Sequence, residues 1–97
     1  MKTFEEIKTV LAEEKDELAR RYGVKAIGVF GSVVRGEAEE DSDIDIYVEY
    51  EQTPSLLRIA NLENFLSDLL REKVDLVPDI CIRPELREII LGELVRL

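Results

Sequence analysis

Residues 31–50 read GSVVRGEAEEDSDIDIYVEY, and the last eight of them, Asp43–Tyr50, alternate without interruption. Side chains of a strand have a period of two, so Asp43, Asp45, Tyr47 and Glu49 fall on one face and Ile44, Ile46, Val48 and Tyr50 on the other. The segment is a strand with one acidic and one apolar face. It is preceded by Val24–Phe30 (VKAIGVF), a β-branched apolar run ending at Gly31-Ser32, which predicts a buried strand leading into a turn. Gly28 within that run signals close backbone approach.

The flanking segments read as helices and one more strand. Phe4, Ile7, Leu11, Leu18 and Tyr22 recur at helical spacing through residues 3–22, and Gly23 is placed as the stop, which predicts one amphipathic helix. Thr53-Pro54-Ser55 opens a helix to about Arg71, with Ile59, Leu62, Leu66, Leu69 and Leu70 as its buried stripe. Lys73–Val77 (KVDLV) is a third strand stopped by Pro78. Pro84 starts a last helix with Leu86, Ile89, Ile90, Leu94 and Leu97 inward, leaving Leu91 and Val95 on a neighbouring face as a candidate protein-contact strip. The order αβ(α)βαβα, without repeat or linker, makes residues 1–97 a single α/β (α+β) domain: a short mixed sheet packed against helices.

Composition narrows the chemistry. Apolar residues are 45% and charged residues 36% of the 97, the balance of a folded soluble domain. Thirteen Lys and Arg stand against 22 Asp and Glu, and a net charge of −9 opposes nonspecific nucleic-acid binding. With no apolar run of signal or membrane-span length, a cytoplasmic location is expected. Cys81 is the only cysteine and histidine is absent, which excludes an intramolecular disulfide, a metal site of several thiolates, imidazole zinc sites and His-based catalysis. Acid-base and metal chemistry must rest on carboxylates.

Gly31-Ser32, ten residues, then Asp43-Ile44-Asp45 is the informative spacing. A glycine lets backbone approach a phosphate closely, and the N–H groups opening a following helix, with the Ser32 hydroxyl, can donate to triphosphate oxygens. Asp43 and Asp45, two apart on a strand, share a face and can hold hard divalent cations whose other ligands are phosphate and water. Asp75 sits between Val74 and Leu76, where an acid is a poor fit unless ligated or paired. If its strand lies beside Asp43–Tyr50, it completes a carboxylate triad and can accept a proton. Arg35 either clamps a phosphate or pairs with an acid of Glu37–Asp41. Asp79, beside Pro78, reads as a turn residue, and Tyr47 as a packing group.

The segments GSVVRGEAEEDSDIDIYVEY and KVDLVPDICIRPELREIIL closely resemble the minimal nucleotidyltransferases of bacteria and archaea, relatives of the DNA polymerase beta superfamily, and the resemblance covers residues 1–97. It implies Gly31, Ser32, Arg35 and Asp43 at the nucleotide, and Asp43, Asp45 and Asp75 as catalytic ligands of two Mg²⁺ ions, with ATP as substrate. Gly36 also matches the family pattern. Such transferases are commonly paired with a HEPN-domain toxin and, as antitoxins, resemble protein adenylyltransferases that move AMP onto a toxin tyrosine. The resemblance is compatible with a homo- or hetero-oligomer. A non-catalytic antitoxin that neutralises its partner by occlusion is the alternative, as is transfer to a small molecule or an RNA end.

Overall fold

A computed structural model describes residues 1–97. Its elements are α1 (Phe4–Glu13), α2 (Lys15–Tyr22), β1 (Val24–Phe30), α3 (Ser32–Arg35), β2 (Ile44–Tyr50), α4 (Leu56–Leu70), β3 (Val74–Pro78), a 3₁₀ turn (Asp79–Cys81), α5 (Pro84–Glu93) and β4 (Val95–Arg96). The sheet order is β3-β2-β1-β4. β2 runs antiparallel to β1 and parallel to β3, and β4 runs antiparallel to β1, so the sheet is mixed as expected.

The alternation in β2 sets the layers. Ile44, Ile46 and Val48 are buried together with Val74 and Leu76 of β3 and Ile27 and Val29 of β1, all on one face. Against them pack Ile7 and Leu11 of α1, Leu18 of α2, and Leu62, Leu66 and Leu70 of α4, every one of these helical residues fully buried. Ile59 and Leu69 flank this core half-buried. The Ser55 hydroxyl caps α4 by accepting from Arg58 N at 3.2 Å. At α1 a reciprocal Thr3–Glu6 capping box does the same, a device worth about 1 kcal/mol.

Two expectations need correction. The single N-terminal helix is broken at Glu14 (φ −97°, ψ 1°). Glu13, Glu14, Asp16 and Glu17 would repel one another across one continuous turn. Starting a new helix at Lys15 instead places Asp16 and Glu17 at an N-terminus, where the helix dipole favours acids, with Arg20 and Arg21 in the last turn.

The second correction is at the C-terminus. The helix stops at Glu93, Leu94 is extended, and Val95 pairs with Val29 in β4, so Leu94 and Leu97 are not helical. Leu86 and Ile89, expected inward, are exposed, and the Leu91–Val95 strip does not exist as a helix face. Pairing with β1 covers an otherwise open sheet edge, which outweighs one more helical turn. Gly28 shows why the strand glycine is needed: a Cβ there would stand 2.6 Å from Leu94 Cδ1 and 2.8 Å from Val95 O.

Candidate active site

The acidic face of β2 is the one that no helix of the core covers. In-register pairing sets Asp45 opposite Phe30 on β1 and opposite Asp75 on β3, forming a row across three strands. The expected adjacency of the third strand is therefore present, and Asp75 points to the same side as Asp45 because neighbours in register share a face. Asp43 precedes the strand by one residue and is exposed, Asp45 is half-buried, and Asp75 is exposed. None of the three takes part in a salt bridge within the chain.

Gly31 follows Phe30 directly and lies against this row. Its backbone (φ 82°, ψ −153°) is in a region that side-chain-bearing residues avoid, and an added Cβ would overlap Asp45 Oδ2. The turn can thus bring backbone up to the carboxylate only as glycine. Ser32 opens α3, whose first N–H groups lack intrahelical acceptors. Gly36 closes α3 in the left-handed conformation (φ 74°).

Electrostatics mark the site as strained by charge. Burial, then the charges of Asp75 and Asp43, push the Asp45 carboxyl up to about 6, with Arg35 opposing and Glu93 reinforcing the shift. Partial desolvation, then Glu63 and Asp43, raises Asp75 as well. Like charges held together with no cation paired directly to them suit a cation-binding face. The donors are all hard carboxylate oxygens, which suits Mg²⁺. No three His, Cys, Asp or Glu side chains converge so that they could hold one ion by themselves. A magnesium ion commonly takes one or two carboxylates and completes its shell with substrate phosphate and water, so the residues present fit that ion.

Arg35 does not reach across to the aspartates. Its Nε donates to Glu37 Oε1 at 3.1 Å, and its Nη1 donates to both oxygens of Glu93, at 2.5 and 3.0 Å. Pairing with an acid of the following loop is thus the arrangement adopted. Glu93 was missed because it lies 58 residues away on a helix end whose position the sequence does not fix. Glu63 of α4 was also missed; its Oε2 accepts from Leu76 N at 3.0 Å, beside Asp75 on the edge strand.

Tyr47 is 1% exposed, a packing residue as expected, with its hydroxyl 2.5 Å from Glu49 Oε2 and 3.0 Å from Asp79 Oδ1. Asp79 sits in the 3₁₀ turn and binds Arg87 at 2.7 Å, a structural role away from the row. None of the five main clefts in the surface is lined by Asp43, Asp45 or Asp75; a 260 Å³ cleft at the opposite end of β2 is lined instead by Tyr50, Thr53 and Ile80 among others. The aspartate row is an open face. No helix is long and apolar enough to cross a membrane.

The chain is similar in sequence and in shape to known nucleotidyltransferases. The chain is 50% identical over 95 residues to the protein adenylyltransferase MntA of Thermococcus cleftensis, covering 98% of this chain and 96% of that one. A solved structure assigned as a minimal nucleotidyltransferase superposes with a TM-score of 0.77 at 41% identity, covering 94% and 95% of the two chains. A toxin–antitoxin structure with AMP-PNP matches at a TM-score of 0.73 and 26% identity, covering 87% of this chain and 69% of that one. The nucleotidyltransferase domain model matches residues 11–97, and with the glycine turn and paired aspartates in place the chain belongs to that family of enzymes.

Proposed function

We propose that this protein transfers AMP from ATP to a tyrosine hydroxyl of a HEPN-domain toxin and thereby acts as its antitoxin. The observation that carries the reading is the row Phe30–Asp45–Asp75 on an uncovered sheet face, with the Gly31 turn pressed against Asp45. It is supported by the likeness to a protein adenylyltransferase and to a toxin–antitoxin pair holding an ATP analogue.

In this reading Gly31 lets the turn approach the triphosphate, and the Ser32 hydroxyl and adjoining N–H groups donate to its oxygens. Asp43 and Asp45 would hold Mg²⁺, two ions in this reading, and Asp75 would complete the set. Such ions, when bound, would supply charge neutralisation for the leaving pyrophosphate and a lowered pKa for the attacking hydroxyl. Asp75 accepts the proton of that hydroxyl, a role suited to a carboxyl whose basicity partial burial and then its acidic neighbours raise. The tyrosine oxygen forms the new bond to the α-phosphorus as the bond to pyrophosphate breaks. Arg35 joins the phosphate contacts by exchanging Glu93 for a phosphate oxygen.

Intact-mass spectrometry of the HEPN protein after incubation with this chain, ATP and Mg²⁺ tests the reading. The acceptor should gain the mass of one or more AMP units, with no gain when Mg²⁺ is chelated. A tight complex whose acceptor mass never changes would establish occlusion instead.

A further inference from the structure

The helix α5 is unlike the other long helices. α1 buries Ile7 and Leu11 and α4 buries Leu62, Leu66 and Leu70, yet no residue of α5 is buried. Leu86 is 45% and Ile89 60% exposed, three residues apart and hence on one face. An isolated ten-residue helix is marginal in water, so something other than core packing must hold it. Ion pairs do so near both ends: Arg87 with Asp79 at 2.7 Å, and Glu93 with Arg35. The helix is fixed in place with Ile90 and Leu91 half-buried, while Leu86 and Ile89 face outward.

We propose that α5 is the docking helix for the acceptor protein, which seats an apolar groove with a basic rim on Leu86 and Ile89. The proposal rests on the protein-acceptor reading given above. Three features select this occupant. Glu93 ends α5 against Arg35, three residues beyond Ser32, and its charge is felt at Asp45, so a partner lying along α5 arrives beside the aspartate row. That row has no cleft wall of its own, whereas an attacking hydroxyl must be held within roughly 3–3.5 Å of the phosphorus. The acceptor must therefore be positioned by a surface it brings with it. The net charge of −9 disfavours a second copy at this position and attracts a partner rich in Lys and Arg. Leu56 and Leu57 are also exposed, but they follow the far end of β2, on the side away from Asp43 and Asp45.

The test compares wild type with Leu86→Glu/Ile89→Glu, using the HEPN-domain protein as acceptor and a short tyrosine-containing peptide from it as an undocked control. Binding of the folded acceptor, by calorimetry, should weaken at least 100-fold, and its kcat/KM for AMP transfer should fall in parallel. Mg²⁺-ATP affinity, melting temperature and the slow modification of the peptide should stay at wild-type values. Leu86→Ala/Ile89→Ala, which adds no charge to destabilise the helix, should weaken acceptor binding about tenfold. Wild-type acceptor affinity in both folded variants would overturn the docking helix while leaving AMP transfer standing. A wild-type dimer that the variants dissolve, seen by sedimentation, would assign the face to a second copy and overturn it too. An acceptor that wild type neither binds nor modifies would remove both this proposal and the reading beneath it.

Discussion

The two faces of β2 come from one run of seven residues and do opposite work. Ile44, Ile46 and Val48 are fully buried beneath α1, α2 and α4 and supply the fold. Asp45, one position away from Ile44 and Ile46, is half-buried among like charges on a face no core helix covers, a cost to the fold that a bound cation would offset. In the proposed reading, alternation separates stability from chemistry within one strand. Substitutions on the two faces should have effects of different kinds.

The largest expected effect is on the acidic face. Asp43→Ala with Asp45→Ala should abolish AMP transfer, a loss beyond the roughly 10²–10³-fold seen when one preorganised stabilising group is removed. Circular dichroism should show an unchanged fold, and the metal-free melting temperature should hold or rise because repulsion with Asp75 is relieved. Normal turnover by the well-folded double variant would dissolve the division of labour between the faces.

Ile46→Ala is the converse. Ile46 has no exposure, and truncating such a residue costs about 2–5 kcal/mol. Urea unfolding should show that loss, while transfer per folded molecule stays near wild type below the transition. A fall in rate matching that of the aspartate variant would mean that the buried face also shapes the site.

Legibility in the sequence follows the same division. The period-two pattern of Asp43–Tyr50 gave the strand, its faces and the aspartate pair, because alternation is a local property. Gly31 was legible as a turn, and the steric reason that only glycine fits, the Asp45 carboxylate beside it, became visible with the sheet register. The partnership of Asp75 with Asp45 required knowing that β3 pairs in parallel with β2, which no spacing dictates. The C-terminus misled for a related reason. Leu86, Ile89, Ile90, Leu94 and Leu97 satisfy a helical period, but pairing with β1 claims the last residues, and Gly92 was the available sign that the helix was about to end. The contacts of Glu93 and Glu63 depend on tertiary placement alone.

The smallest expected effect is a pH trend that sharpens the contrast between faces. In the folded, metal-free protein the Asp45 carboxyl is pushed up to about 6 from an ordinary 3.8, and Asp75 is raised in the same direction. Between pH 4 and 6 the folded state therefore binds more protons than the unfolded one, so stability increases as pH falls through 6. The gain should stay well below the roughly 3 kcal/mol that a two-unit shift represents, since Asp45 is half-exposed and its interactions are screened. Glu6, Glu17 and Glu49 are held below the ordinary value of 4.5 and oppose the trend as pH falls through that value, which leaves pH 7.5 to 5 as the informative window. Thermal melts in EDTA should be higher at pH 5 than at pH 7.5. Asp45→Asn should flatten most of that difference, and Ile46→Ala should shift both melts down together without changing it. With saturating Mg²⁺ and ATP the order should invert, because protons and cations compete for the same oxygens and the ligand stabilises only while the carboxylates are ionised. A metal-free melt that drops from pH 7.5 to 5, or one that Asp45→Asn leaves untouched, would show that the acidic face carries no such charge strain.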